Sequence, residues 1–230
     1  MRPDEPPEDD RPVGLARSIR FSFAAYVDEI VLFLLPNVGL VIVAAGVIGL
    51  AAAVPAAVVL TPVLSLPIAV SCRLAVAAAR GGSPRWAMVG QELPRRAGRK
   101  LAIAALQLFL LGIGLLNLAL AGHIGGVPGV LSLVISGYVV LASSVYAVAL
   151  WPIVCDPRRE GPLAEQLRLA LAVVMLRPFQ VGTLAILAAL GLIASIQLIA
   201  PAVILPSLIV LASTHYVVNV ADRLRPTVRR

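Results

Sequence analysis

From Ile30 onward the chain is a succession of long apolar stretches separated by short loops, and nearly every Lys and Arg lies in those loops on one set of alternate connections. A bilayer core about 30 Å thick needs ~20 apolar residues per spanning helix, so the pattern predicts an all-α polytopic membrane protein. Ile30 to Ala79 is too long for one helix and divides into two at the Val54-Pro55 step, with Pro62 and Pro67 bending the second. A third span is expected from Leu101 to about Ala121, a charge-free turn from Gly122 to Gly129, and a fourth span from Val130 to Val154. Pro178 opens a fifth span to about Ile199, and Pro201 separates it from a sixth ending near Val218. The chain thus reads as about six transmembrane helices in three hairpins.

Two further segments have helical periodicity without enough length or hydropathy to span. In Val13 to Glu29, Ala16, Ile19, Phe23 and Val27 fall on one face and Arg17 and Arg20 off it. In Leu163 to Leu176, Leu163, Leu167, Ala170, Leu171 and Val174 form a stripe, with Glu165, Gln166 and Arg168 outside it. Both are expected to lie along the cytoplasmic membrane surface as amphipathic interfacial helices.

Composition agrees with this reading. Of 230 residues, 60% are hydrophobic and 13% charged, with a mean hydropathy of +0.95, which leaves too little polar surface to cover a soluble globule. The net charge of +7 could suit nucleic acid, but the cations sit beside apolar spans, so anionic lipid head groups are the expected partners and nucleic acid is not. Residues 1–12 hold four prolines and five acids and are expected to be a disordered tail, not a signal peptide. Residues 13–220 are then one transmembrane domain, and 221–230 a basic tail.

Counting cations gives the orientation. Four precede the first span, six lie between Arg80 and Lys100, four between Arg158 and Arg177, and four follow Asn219, leaving only Arg73 inside a span. The three opposite turns hold none, which predicts both termini on the cytoplasmic side.

Candidate chemistry is sparse. Arg73 could bind an anion, but it lies close enough to a span end to reach the interface or a carboxylate. Asp28 and Glu29 stand at the mouth of the first span, where pairing with nearby Arg side chains is more economical than cation binding. Asn37, Gln107, Asn117, Gln197, His215 and Asn219 are spread over several spans, where interhelical hydrogen bonding is the usual role of such groups. His215 and Asn219, four residues apart, share one helix face. Cys72 and Cys155 belong to no C-x-x-C or Cys/His cluster, so no metal site, disulfide or cofactor is expected. No G-x-S-x-G, H-E-x-x-H or paired intramembrane aspartates occur, and Ser143-Ser144 has no His to activate it in its span.

Thr61-Pro62, Arg73, Arg80-Gly81-Gly82 and Leu93-Pro94-Arg95-Arg96-Ala97, followed by Trp151-Pro152, Asp156, Leu163, Leu167-Arg168-Leu169-Ala170, Arg177-Pro178 and Thr183-Leu184, resemble the YesL-like family of bacterial integral membrane proteins over roughly residues 31–219. The chain departs from that pattern in the few aromatics of its basic loop and in Pro94. The resemblance implies a multi-pass protein of the bacterial cytoplasmic membrane with an accessory role near a carbohydrate transporter, and it transfers no catalytic residue. The expected function is a non-enzymatic membrane component that contacts anionic lipid, and a transporter or sensor subunit, through Arg95, Arg96, Arg99 and Lys100. The alternative is a small-solute transporter in which Arg73, Asn117, His215 and Asn219 face a common cavity.

Overall fold

A computed structural model describes the backbone of residues 14–197 and 199–228, and the side chains of those residues outside 195–203 and 225–230. The acidic segment 1–12 lies outside the described residues. All the described regular structure is helical. Helix α1 spans Leu15–Asp28 and α2 Ile30–Ala53; a 3-10 segment, Pro55–Leu64, runs into α3, Ser65–Ala79. Next come α4 (Trp86–Glu92), α5 (Ala97–Ile124), α6 (Gly126–Val154), a 3-10 turn at Pro157–Arg159, α7 (Leu163–Leu176), α8 (Pro178–Gln197) and α9 (Ile199–Val228). Among the described residues, five segments are individually long and apolar enough to cross a membrane, and α7 with α8, bent by 102°, supply a sixth if counted as one. The protein is therefore an all-α multi-pass membrane protein.

The three expected hairpins are present: α2 packs on the 3-10 segment and α3, α5 on α6, and α8 on α9. Their turns are tighter than the sequence suggested. Helices α5 and α6 use up most of the Gly122 to Gly129 stretch and meet at Gly125, whose φ of +65° is followed by +60° at Gly126. Glycine reaches that left-handed region without strain, so one residue reverses the chain. Pro201 does not separate two spans but sits in the first turn of α9, where its missing N–H costs nothing. Pro62 interrupts the α-helical ladder, and the segment around it winds as a 3-10 helix, with the Thr61 hydroxyl donating to the Val58 carbonyl. Helix α9 does not end near Val218. It continues to Val228, so 221–228 are helix rather than a separate tail.

Helix α9 is the axis of the bundle. It touches α1, α2, α3, α6, α7 and α8, and 56% of its most apolar window is buried, against 17% in α5 and in α6. Tyr216, Val217, Val220 and Ala221 of α9 join Ala149, Leu150, Ile153, Val181 and Leu184 in the main core. A second cluster joins Leu211 to Tyr26, Phe33, Val70 and Leu74.

Helix α1 is inside out by the standards of a soluble protein. Ser18, Ser22 and Tyr26 face the bundle, while Ile19, Phe23 and Val27 are exposed. The stripe read as the apolar face of an amphipathic helix is thus turned away from the protein, as it would be if it met lipid. Ala45, Gly49 and Ala53, small residues four apart along α2, also face outward, whereas Ile209 of α9 packs on Gly191 of α8.

Close approach at glycine occurs at the α8–α9 contact, where Ile209 packs on Gly191, and at two places in the α5–α6 hairpin. A Cβ on Gly129 would lie 2.9 Å from the Ala121 carbonyl oxygen, and one on Gly114 would lie 2.7 Å from Cγ2 of Val140. Gly129→Ala should therefore cost about 1–3 kcal/mol, because backbone cannot yield as a side-chain tip can. Gly112→Ala, with nothing within 4 Å of the new carbon, should leave stability unchanged or slightly raised. Thermal unfolding of the two variants in the same detergent checks the contrast; equal melting temperatures would show that the hairpin is not closely packed there.

Candidate functional site at the charged end

The charged side chains gather at one end of the bundle in two ion-paired groups. The first is centred on Asp156, which follows α6 and has no exposed side-chain surface. Arg80, the cap of α3, pairs with it, and Nε of Arg159 donates to Asp156 Oδ2 at 3.0 Å. The Arg158 backbone N–H donates to its other oxygen, also at 3.0 Å. Both guanidinium groups also reach Asp222 of α9, Arg80 at 3.2 Å. Burial disfavours the charge on Arg80, but its hydrogen bond to Asp156 and the attraction of Asp156 and Asp222 outweigh that and raise its pKa.

The second group surrounds Glu92, buried at the end of α4. Lys100, equally buried in the first turn of α5, donates to the Glu92 carboxylate at 2.6 Å and to its carbonyl at 2.8 Å. Arg73 and Arg95 each stand 3.7 Å from the same carboxylate. Glu160 pairs with Arg95 and, at 3.4 Å, with Arg96. Arg99 donates to the Gly161 carbonyl at 3.2 Å and to the Gln166 side chain at 2.7 Å, and Gln166 donates onward to the Arg159 carbonyl at 2.5 Å. The loop before α5 is therefore latched onto the loop before α7. Arg96 holds a φ of +50°, an uncommon conformation for a side chain of this size.

The four cations expected at a lipid surface thus divide. Arg96 is exposed and Arg95 about a third so, while Arg99 turns inward and Lys100 is buried against Glu92. The void among them, lined also by Val154, Cys155 and Glu160, measures about 10 Å³. That is about the minimum for one water.

The four membrane-depth residues of the transporter reading do not converge. Arg73 faces Glu92, which makes it the carboxylate-paired arginine that its position allowed. Asn117 is exposed on α5. Nδ1 of His215 lies 3.0 Å from the Ser18 hydroxyl, and its ring stacks on Phe21 with centroids 4.1 Å apart. The Asn219 amide donates to the His215 backbone carbonyl at 2.7 Å, so the two side chains are not a pair. Other polar groups tie helices together: Gln107 accepts from the Trp151 indole at 2.9 Å, and the Ser207 hydroxyl donates to the Phe33 carbonyl at 2.7 Å and lies 3.0 Å from the Asn37 amide. The side chain of Gln197 lies outside the described residues.

Cys72 and Cys155 are free, and both are buried. The neighbouring Cys72 thiol, and then burial, hold the Cys155 thiol well above its ordinary pKa. Among the described residues no group of His, Cys, Asp and Glu has the makings of a metal site.

What the sequence reading missed were the acids. Glu92, Asp156, Glu160 and Asp222 lie in the same segments as the cations, a signal hidden when cations alone are counted for orientation. Lys100→Met, which takes the nearest and only buried cation from the Glu92 carboxylate and leaves it the two arginines at 3.7 Å, should cost about 2–4 kcal/mol, while Arg158→Gln, at an exposed side chain, should stay within about 0.5 kcal/mol of the parent. Unfolding in detergent distinguishes the two. The folded chain should also resist maleimide at pH 8 and take up two equivalents once denatured, since the thiolate is the reactive form; rapid labelling of the native protein would contradict the burial described.

Compared with protein-family models, curated proteins and solved structures, the chain matches none.

Proposed function

We propose that this chain is a non-enzymatic integral membrane component that works through its charged end as an accessory or scaffold subunit near a carbohydrate uptake or sensing system. The observation that carries this reading is the contrast between the two classes of polar residue. The side chains needed to line a solute pathway are dispersed over α3, α5 and α9, whereas the ion pairs of the loops form one continuous, stiffened face. Dispersed polar groups do not build a midplane binding site, which weighs against the small-solute transporter alternative. A face whose cations are already neutralised internally is suited to presenting a fixed shape, with Arg96, Glu160 and Asp222 as the most accessible members of its ion pairs.

On this reading the charged end and both termini lie in the cytoplasm of a bacterial cell, by the distribution of Lys and Arg. The carbohydrate context rests on the sequence likeness to the YesL-like family alone.

The test is crosslinking in native membranes followed by affinity purification through a C-terminal tag and mass spectrometry. Recovery of a sugar-uptake permease or sensor kinase in near-stoichiometric yield is the expected outcome, reduced several-fold by Glu160→Arg. Recovery of the chain alone with lipid would count against the accessory role.

A further inference from the structure

Helix α5 buries Lys100, Ile103, Ala104, Gly114 and Ala121 within the chain and leaves most of its surface open. On another flank of the helix Leu106, Leu110, Ile113, Asn117, Leu120 and Ile124 are all exposed. They follow one another at intervals of 4, 3, 4, 3 and 4 residues, the repeat of a coiled-coil seam. Leu110, Asn117 and Ile124 occupy one of its two core positions, and Leu106, Ile113 and Leu120 the other.

We propose that this seam pairs with the same seam of a second copy of the chain, the two α5 helices lying parallel with their Asn117 amides hydrogen-bonded to each other. Asn117 is the residue that asks for a partner. Gln107, Asn37, His215 and Asn219 each make a polar contact within the chain, whereas the described residues provide Asn117 with none. It stands eight residues before the reversal at Gly125, roughly 12 Å along the axis, with Leu116, Leu120 and Ile124 beside it. Acyl chains offer an amide neither donor nor acceptor, and interhelical hydrogen bonding is how such groups are satisfied at membrane depth.

Three features favour a second copy over a different protein. A primary amide both donates and accepts, so two Asn117 side chains related by a two-fold axis complete each other. Copies inserted with one orientation carry α5 in the same direction, which brings Asn117 to the same depth in both without any adjustment. A single asparagine in an otherwise apolar seam fixes the register, because any slip leaves two amides unpaired. No Asp, Glu, Lys or Arg falls between Leu101 and Ile124, so no like charges oppose the parallel arrangement. The seam lies away from the ion-paired face, and the proposal does not rest on the accessory role.

The experiment is energy transfer between full-length chains carrying donor or acceptor dyes on a C-terminal tag, reconstituted in liposomes over a range of protein-to-lipid ratios. Transfer should saturate as expected for a dimer. Asn117→Leu should move the midpoint to about fivefold higher protein density or more, the effect of losing interhelical amide hydrogen bonds. Leu115→Ala, an exposed position on the opposite flank, should move it less than about twofold. No transfer beyond random proximity at any density, or equal shifts in the two variants, would overturn the proposal. A second arm keeps Asn117 in place. On mild oxidation in native membranes, Leu110→Cys and Ile113→Cys should give disulfide-linked dimers several-fold faster than Leu108→Cys and Leu115→Cys. Equal rates at the four positions would indicate chance collision and refute the seam, and adducts of the seam positions with another protein alone would assign it to a different partner and refute the second copy.

Discussion

A carboxylate with no exposed side chain, Asp156, stands where the ends of α3 and α6 and the approach to α7 converge, and the organisation of the charged end depends on its compensation. An ion taken out of water costs several kcal/mol unless its partners are in place, so Arg80 and Arg159 cannot be displaced without leaving a stranded charge. Because the same two arginines also grip Asp222, the end of α9 is held by the group that holds α3 and α6. The benefit of such a cluster is less its net energy than its specificity. Few arrangements of the three hairpins satisfy all four groups at once.

Specificity of that kind matters because the usual driving force for helix association is missing within a bilayer, where lipid chains are as apolar as leucine. The long apolar faces of α5 and α6 remain largely unburied within the chain, and their association rests on close packing at Gly114 and Gly129. Elsewhere single polar contacts join helices, such as Ser207 with the backbone of α2 or His215 with Ser18 of α1. Helix α1 shows the same logic from outside: its serines turn inward, and its isoleucine, phenylalanine and valine turn out. Hydropathy therefore locates the helices, and polar groups decide how they are assembled.

That division explains what could be read from the sequence. The spans, the hairpins and the break at Val54-Pro55 were legible because each is written in consecutive residues, as apolar runs and proline positions. The exact reversal at Gly125 and the extension of α9 through its basic end were not, since helix ends depend on capping and on neighbours rather than on hydropathy. Arg73 was expected to reach either the interface or a carboxylate, and the choice was not legible because Glu92 is brought to it by the fold of the intervening loop. Lys100 was read as a surface cation and proved buried for the same reason: its partner lies eight residues away on another helix. Asn117, in contrast, carries no signal in the sequence that it faces outward.

The central claim is that the ion-paired groups of the charged end act as one unit joining the hairpins. A double-mutant cycle between Arg80→Gln and Asp156→Asn, read by unfolding of the purified chain in one detergent, tests it most directly. The structure predicts that the double variant is less damaging than the sum of the single ones by more than about 1 kcal/mol, the coupling of residues in direct contact. Strict additivity would mean that Arg80 and Asp156 stabilise the chain independently, and would contradict the account.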